Sequence, residues 1–95
     1  MPTVEIAALG ATRKLLGFSR STVEIEQGSV ADLLRSLETV DGTNLYANLV
    51  REGKLRGDYA IVVDGLSLRA DQLDKLLRGG EQVVTMAILR HLHGG

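Results

Sequence analysis

The last five residues, His91-Leu92-His93-Gly94-Gly95, hold the residue types whose chemistry comes first into question. Two consecutive glycines carry no side chains, so they can thread a narrow channel and take backbone angles closed to other residues. A free carboxylate at their end is a poor electrophile. It reacts only with a better leaving group in place, normally as an acyl-adenylate made with ATP. The chain has no Gly-Lys-Ser/Thr phosphate loop and no Gly-x-Gly-x-x-Gly after a strand, so it is not expected to make that adenylate itself. It has no cysteine and so no thiol nucleophile. Its serines have no histidine nearby in sequence to serve as a base. His91 and His93, at i and i+2, would point the same way on an extended segment, but two imidazoles without a third ligand make a poor metal site. The residues therefore point to a carrier or substrate, not an enzyme, with no bound cofactor or metal and with the chemistry in a partner.

Composition narrows the partners. The chain has 95 residues, 44% hydrophobic and 24% charged, enough for one domain with one core. Eleven basic and 12 acidic residues are mixed along it, for a net charge of −1. No basic block exists to grip nucleic acid. Aromatics are 3% of residues (Phe18, Tyr46 and Tyr59), too few for base-stacking platforms. No apolar run approaches the roughly 20 residues that span a bilayer. Met1-Pro2-Thr3-Val4-Glu5 lacks the basic and apolar regions of a secretory signal, so a cytoplasmic location is expected. A terminal Gly-Gly arises by chance in about 0.5% of sequences at average glycine usage, so it is informative only if the elements before it have a matching shape.

Those elements read as follows. Thr3 to Leu9 alternates with Val4, Ile6 and Ala8 on one side, a half-buried strand, and Gly10 breaks it. Ser21 to Glu26 alternates again, with Val23 and Ile25 inward, and pairs most simply with the first strand as an antiparallel hairpin. Leu15, Leu16 and Phe18 fall in the loop between, either folded under the hairpin or exposed for a partner. Ser29 caps a helix with Asp32 three residues on, and Val30, Leu33, Leu34, Leu37 and Val40 carry helical spacing as far as Asp41-Gly42. A shorter helix is expected over about Asn44 to Glu52, ended by Gly53. Tyr59 to Val63 is an apolar strand, Asp64-Gly65 a tight type I′ turn and Leu66-Ser67-Leu68 a short return strand. Asp71 to Leu77 reads as a turn or two of helix. Arg78-Gly79-Gly80-Glu81 is a turn, since its glycines precede a strand and not a phosphate-binding helix. Val83 to Arg90 is a long apolar strand.

Only one good helix is available to cover four or five strands. That predicts an α+β domain with a mixed sheet, the main helix across one face and the other face open. The last strand should lie centrally beside the first and parallel to it, with Ser21–Glu26 and Leu66–Leu68 at the edges. Residues 1–90 are expected to form this domain, with 91–95 a flexible tail.

This pattern resembles the ubiquitin-like β-grasp sulfur carriers over nearly the whole chain. The likeness rests on Val4-Glu5-Ile6, the capped helix Ser29–Val40, the segment Tyr59-Ala60-Ile61-Val62-Val63-Asp64-Gly65, the turn Arg78-Gly79-Gly80-Glu81-Gln82-Val83 and the terminal Gly94-Gly95. The middle segment and the turn look like the sulfur-carrying small subunit of molybdopterin synthase. The tail departs from it: that subunit has prolines before its diglycine, where this chain has Arg90-His91-Leu92-His93. Leu92-His93-Gly94-Gly95 looks more like the ubiquitin-related modifier of tRNA thiolation.

The resemblance implies that an E1-like adenylyltransferase uses ATP to activate Gly95, that sulfur then gives a C-terminal thiocarboxylate, and that Leu92, His93 and Gly94 present it. It implies molybdenum cofactor biosynthesis as the destination, with a molybdopterin synthase large subunit as partner. The alternatives are a modifier serving tRNA thiolation or lysine conjugation, and a β-grasp binding module with an inert terminus. Val84, Met86 and Ile88 lie near the tail, with Leu92 beyond. With one sheet face open, they are either core or an apolar docking patch for the activating enzyme.

Overall fold

The structure, a computed structural model, describes residues 3–25, 28–77 and 83–90. Strand β1 (Thr3–Leu9) buries Val4, Ile6 and Ala8 and exposes Glu5 and Leu9, as its alternation requires. Helix α1 (Thr12–Leu16) follows, where only a loop was expected. It has no side-chain cap at Ala11, which removes the usual start signal. Gly17 ends it in the left-handed region (φ 80°), its N–H donating to the Arg13 carbonyl at 2.8 Å. A Cβ on Gly17 would also lie 3.0 Å from Val40 Cγ1. Leu16 is buried, and Leu15 and Phe18 pack against the core, so these three residues are core and not a partner surface. Strand β2 (Arg20–Glu24) returns antiparallel to β1, with Val4 opposite Val23.

Helix α2 (Val30–Ser36) opens with the expected capping box. The Asp32 N–H donates to Ser29 Oγ at 3.2 Å, and the Ser29 N–H donates to Asp32 Oδ2 at 3.0 Å. Two more first-turn donors find carbonyls from outside the helix: Val30 N–H on Lys75 and Ala31 N–H on Leu73, both at 2.9 Å. Leu73 to Leu77 therefore lies beside the helix N-terminus as a tight turn, with the Lys75 N–H on the Gln72 carbonyl at 3.0 Å, followed by a bridge from Leu76 to Ser29, and not as the one or two turns of helix the sequence suggested. The α2 helix ends at Ser36 and not near Val40: Leu37 is extended and buried, and its carbonyl accepts the Leu45 N–H at 2.8 Å. Val40 is 65% exposed.

Helix α3 (Leu45–Leu49), capped by Asn44, is shorter than expected. The chain turns into a small hairpin, β3 (Val50–Arg51) and β4 (Lys54–Leu55), where the sequence suggested continued helix. Glu52 and Gly53 form its turn, both at positive φ. Strand β5 (Tyr59–Val63) leads through Asp64 (φ 48°) and Gly65 (φ 83°) into β6 (Leu66–Ser67), and β7 (Val84–Arg90) completes the sheet. The strand order is β2-β1-β7-β5-β6. As expected, β7 sits beside β1 and parallel to it, with β2 and β6 at the edges.

The core lies between α2, α3 and one sheet face. Val4, Ile6 and Ala8 stand beside Val84, Met86 and Ile88, which in turn face Val63 and Ile61 across the β7–β5 pairing. Leu33, Leu34, Leu45 and Leu49 close over them, all fully buried. The buried Thr12 hydroxyl, 2.8 Å from the Ile88 carbonyl oxygen, ties α1 to the middle of this face.

Candidate functional site

The terminal residues singled out in the sequence, His91, Leu92, His93, Gly94 and Gly95, lie outside the described residues, as does the turn at 78–82. The structure does fix where that segment begins. Arg90 ends β7 opposite Tyr59, the first residue of β5. Its Nε lies 3.4 Å from Asp58 Oδ2, and its guanidinium carbon lies 5.6 Å from the centre of the Tyr59 ring. Arg56 approaches from the other side: Nη2 is 3.0 Å from the same Asp58 oxygen, its guanidinium carbon is 5.6 Å from the Tyr59 ring centre, and Nη1 donates to the Asn48 carbonyl at 3.2 Å. One carboxylate thus holds two guanidiniums over one aromatic ring. The sequence reading missed this cluster; the only signal for it was the Arg56-Gly57-Asp58-Tyr59 run ahead of a strand.

The suggested docking patch needs correction. Val84, Met86 and Ile88 are 3%, 1% and 0% exposed and belong to the core. A strand alternates its faces residue by residue, and pairing with Val4, Ile6 and Ala8 turns these three inward. The sheet's open face carries Thr85, Ala87 and Leu89 instead. Ala87 and Leu89 hid this parity, because they are apolar too and the strand showed no clear alternation. On that open face a shallow groove of about 450 Å³ runs between β2 and β5, with Glu5, Arg20, Thr22, Val62 and Thr85 among its walls. Asp64 braces one end: its Oδ1 accepts the Thr85 N–H at 2.9 Å, and its own N–H donates to the Thr85 carbonyl at 2.9 Å.

Two carboxyl groups are held below the ordinary aspartate range. Asp32 is lowered by hydrogen bonds from the Ser29 backbone and hydroxyl, with Arg35 adding to the effect. Asp41 is lowered by the Thr39 and Thr43 hydroxyls and the Thr43 N–H. Both are exposed and serve local structure, as a helix cap and a turn. Among the described residues no three His, Asp or Glu side chains gather as a metal site requires, and no helix is long and apolar enough to cross a membrane.

No family model and no curated protein matches the sequence. Solved structures do match it in shape. SAMP1 from Haloferax volcanii superposes with a TM-score of 0.71 at 15% identity, over 98% of this chain and 99% of that one. A putative molybdopterin converting factor, subunit 1, from Pyrococcus furiosus gives 0.68 at 18% identity, over 97% and 100%. A chain of the Amycolatopsis orientalis BexX/CysO complex gives 0.66 at 24% identity, over 97% and 99%. Coverage of 97% or more on both sides, together with a five-stranded mixed sheet in which the first and last strands pair in parallel, identifies the fold: the chain is a ubiquitin-like β-grasp.

Proposed function

We propose that this chain is a sulfur carrier whose working atom is the carboxyl carbon of Gly95. An E1-like adenylyltransferase would join that carboxylate to the α-phosphorus of ATP, releasing pyrophosphate. A sulfur donor would then displace AMP and leave a thiocarboxylate. Leu92, His93 and Gly94 present the group, and the absence of cysteine suits a carrier that holds sulfur at its terminus. The sulfur goes to molybdopterin synthesis in the cytoplasm, with a molybdopterin synthase large subunit as acceptor. Residues 1–90 act as the folded body and 91–95 as the arm.

The observation that carries this reading is the meeting of a diglycine sequence with a β-grasp whose central strand β7 runs to Arg90, three residues short of it in the sequence. The likeness to a putative molybdopterin converting factor subunit supports the destination. The likeness to SAMP1, a small archaeal modifier protein, favours a second reading, a modifier joined through Gly95 to lysines of other proteins; the Leu92-His93-Gly94-Gly95 ending is what points to a modifier serving tRNA thiolation.

Mass spectrometry of the chain purified from its own cells separates these readings. Sulfur in place of one oxygen at Gly95 supports the carrier, and a Gly-Gly remnant on foreign lysines supports the modifier. Neither species would leave a binding module with an inert terminus. Deleting Gly95, or Gly95→Ala, is expected to abolish loading while thermal stability stays within error. Full loading of the deleted chain would refute the assignment.

A further inference from the structure

Arg90 is the residue from which 91–95 continue, and three interactions converge on it: the cross-strand pairing with Tyr59, the Asp58 carboxylate at 3.4 Å and the Tyr59 ring. Asp58 is well placed to hold it. Its side chain is only 13% exposed, against 47% for Arg90, and it is itself anchored by Arg56, which also bonds the Asn48 carbonyl. The anchor therefore belongs to the body of the fold, and the part it restrains is a strand end. Strand ends open first, because they have the fewest packed neighbours. Each residue of β7 that frayed would move the origin of the terminal segment by about 3.4 Å. The five residues beyond Arg90 reach roughly 17 Å at full extension, so such a shift is a large fraction of their span.

Resting on the carrier reading above, we propose that Asp58 is a positioning residue for the terminal carboxylate: by clamping Arg90 it fixes the point from which residues 91–95 continue and so how far Gly95 can reach toward a partner's active site. Fixing the origin narrows the volume the carboxylate searches and raises its effective concentration there. Arg56 anchors the same carboxylate from the approach to β5, so its loss should act in the same direction as loss of Asp58. The exposed Arg69–Asp71 pair, which touches neither Asp58 nor Arg90, provides an internal control.

Asp58→Asn keeps the shape and removes the charge. The backbone of Arg90 is expected to gain fast motion, read as a lower heteronuclear NOE, with little change in thermal stability. The fraction of chain bearing a Gly95 thiocarboxylate in its own cells is expected to fall roughly two- to fivefold, the scale of one exposed ion pair. Asp58→Glu restores the charge and should recover most of the loading, and Arg69→Gln, which breaks an exposed ion pair outside the cluster, should leave loading unchanged. An unaltered Arg90 NOE in Asp58→Asn overturns the proposal. So does undiminished loading of that variant, or an equal loss in Arg69→Gln. A wild-type chain that carries no thiocarboxylate would refute the carrier reading itself, and the NOE would still decide whether Asp58 holds Arg90.

Discussion

At the scale of single residues, the best-defined electrostatics lie in one turn and one helix cap. Asp41 accepts hydrogen bonds from the Thr43 hydroxyl at 2.7 Å and the Thr43 N–H at 3.2 Å, and from the Thr39 hydroxyl, which is buried with its side chain. These donors favour the ionised carboxylate and lower its pKa in the folded state. A group whose pKa falls on folding adds stability above its unfolded value and loses it as pH drops through the folded one. The same sign holds for Asp32. Thermal unfolding should therefore show no contribution from these groups to pH dependence near neutrality and a loss of Tm below about pH 4. Asp41→Asn should flatten part of that acid limb; an unchanged limb in the variant would mean the turn is not the source. The capping box at Ser29 and Asp32 was legible because both partners are close in sequence. The Asp58 cluster was not, because Arg90 reaches it only through strand pairing.

At the scale of elements, short-range signals read well and the ends of helices read poorly. Asp64-Gly65 folded into its tight turn, and the alternation of β1 named its buried face correctly. The α2 helix was drawn too long because apolar spacing outlived it: Leu37 is buried as a helical residue would be, but from extended backbone. Leu73 and Leu77 are likewise buried without forming a helix, since the carbonyls of that segment are used by α2's free N–H groups. The β3–β4 hairpin escaped notice because its turn is Glu52-Gly53, with glutamate in a conformation usually left to Asn, Asp or Gly. Parity on β7 gives a direct check. Met86→Ala removes a fully buried side chain and should cost about 2–5 kcal/mol in denaturant unfolding. Ala87→Ser, one residue away on the open face, should cost no more than about 0.5 kcal/mol. Equal costs would mean the strand's faces are wrongly assigned.

At the scale of the whole molecule, stability should be graded outward from the β1–β7 pair. Each of these strands is hydrogen-bonded on both sides, whereas β6 is a two-residue edge with Leu66 67% exposed. Amide hydrogen exchange should be slowest in β1 and β7 and fast in β6 and in the β3–β4 hairpin; protection of β6 equal to that of β7 would contradict this order. The same central pair has a consequence for how the protein comes to exist. Val4 waits for Val84, and Ile6 for Met86, across almost the entire chain. A growing polypeptide on the ribosome can form the β1–β2 hairpin early, but it cannot close its hydrophobic centre until β7 has been synthesised. Contacts this distant in sequence also slow the search for the native state. A chain interrupted before β7 would keep the apolar side of β1 uncovered and be open to proteolysis. Folding itself thus selects for polypeptides translated as far as the strand that leads to the terminal glycines.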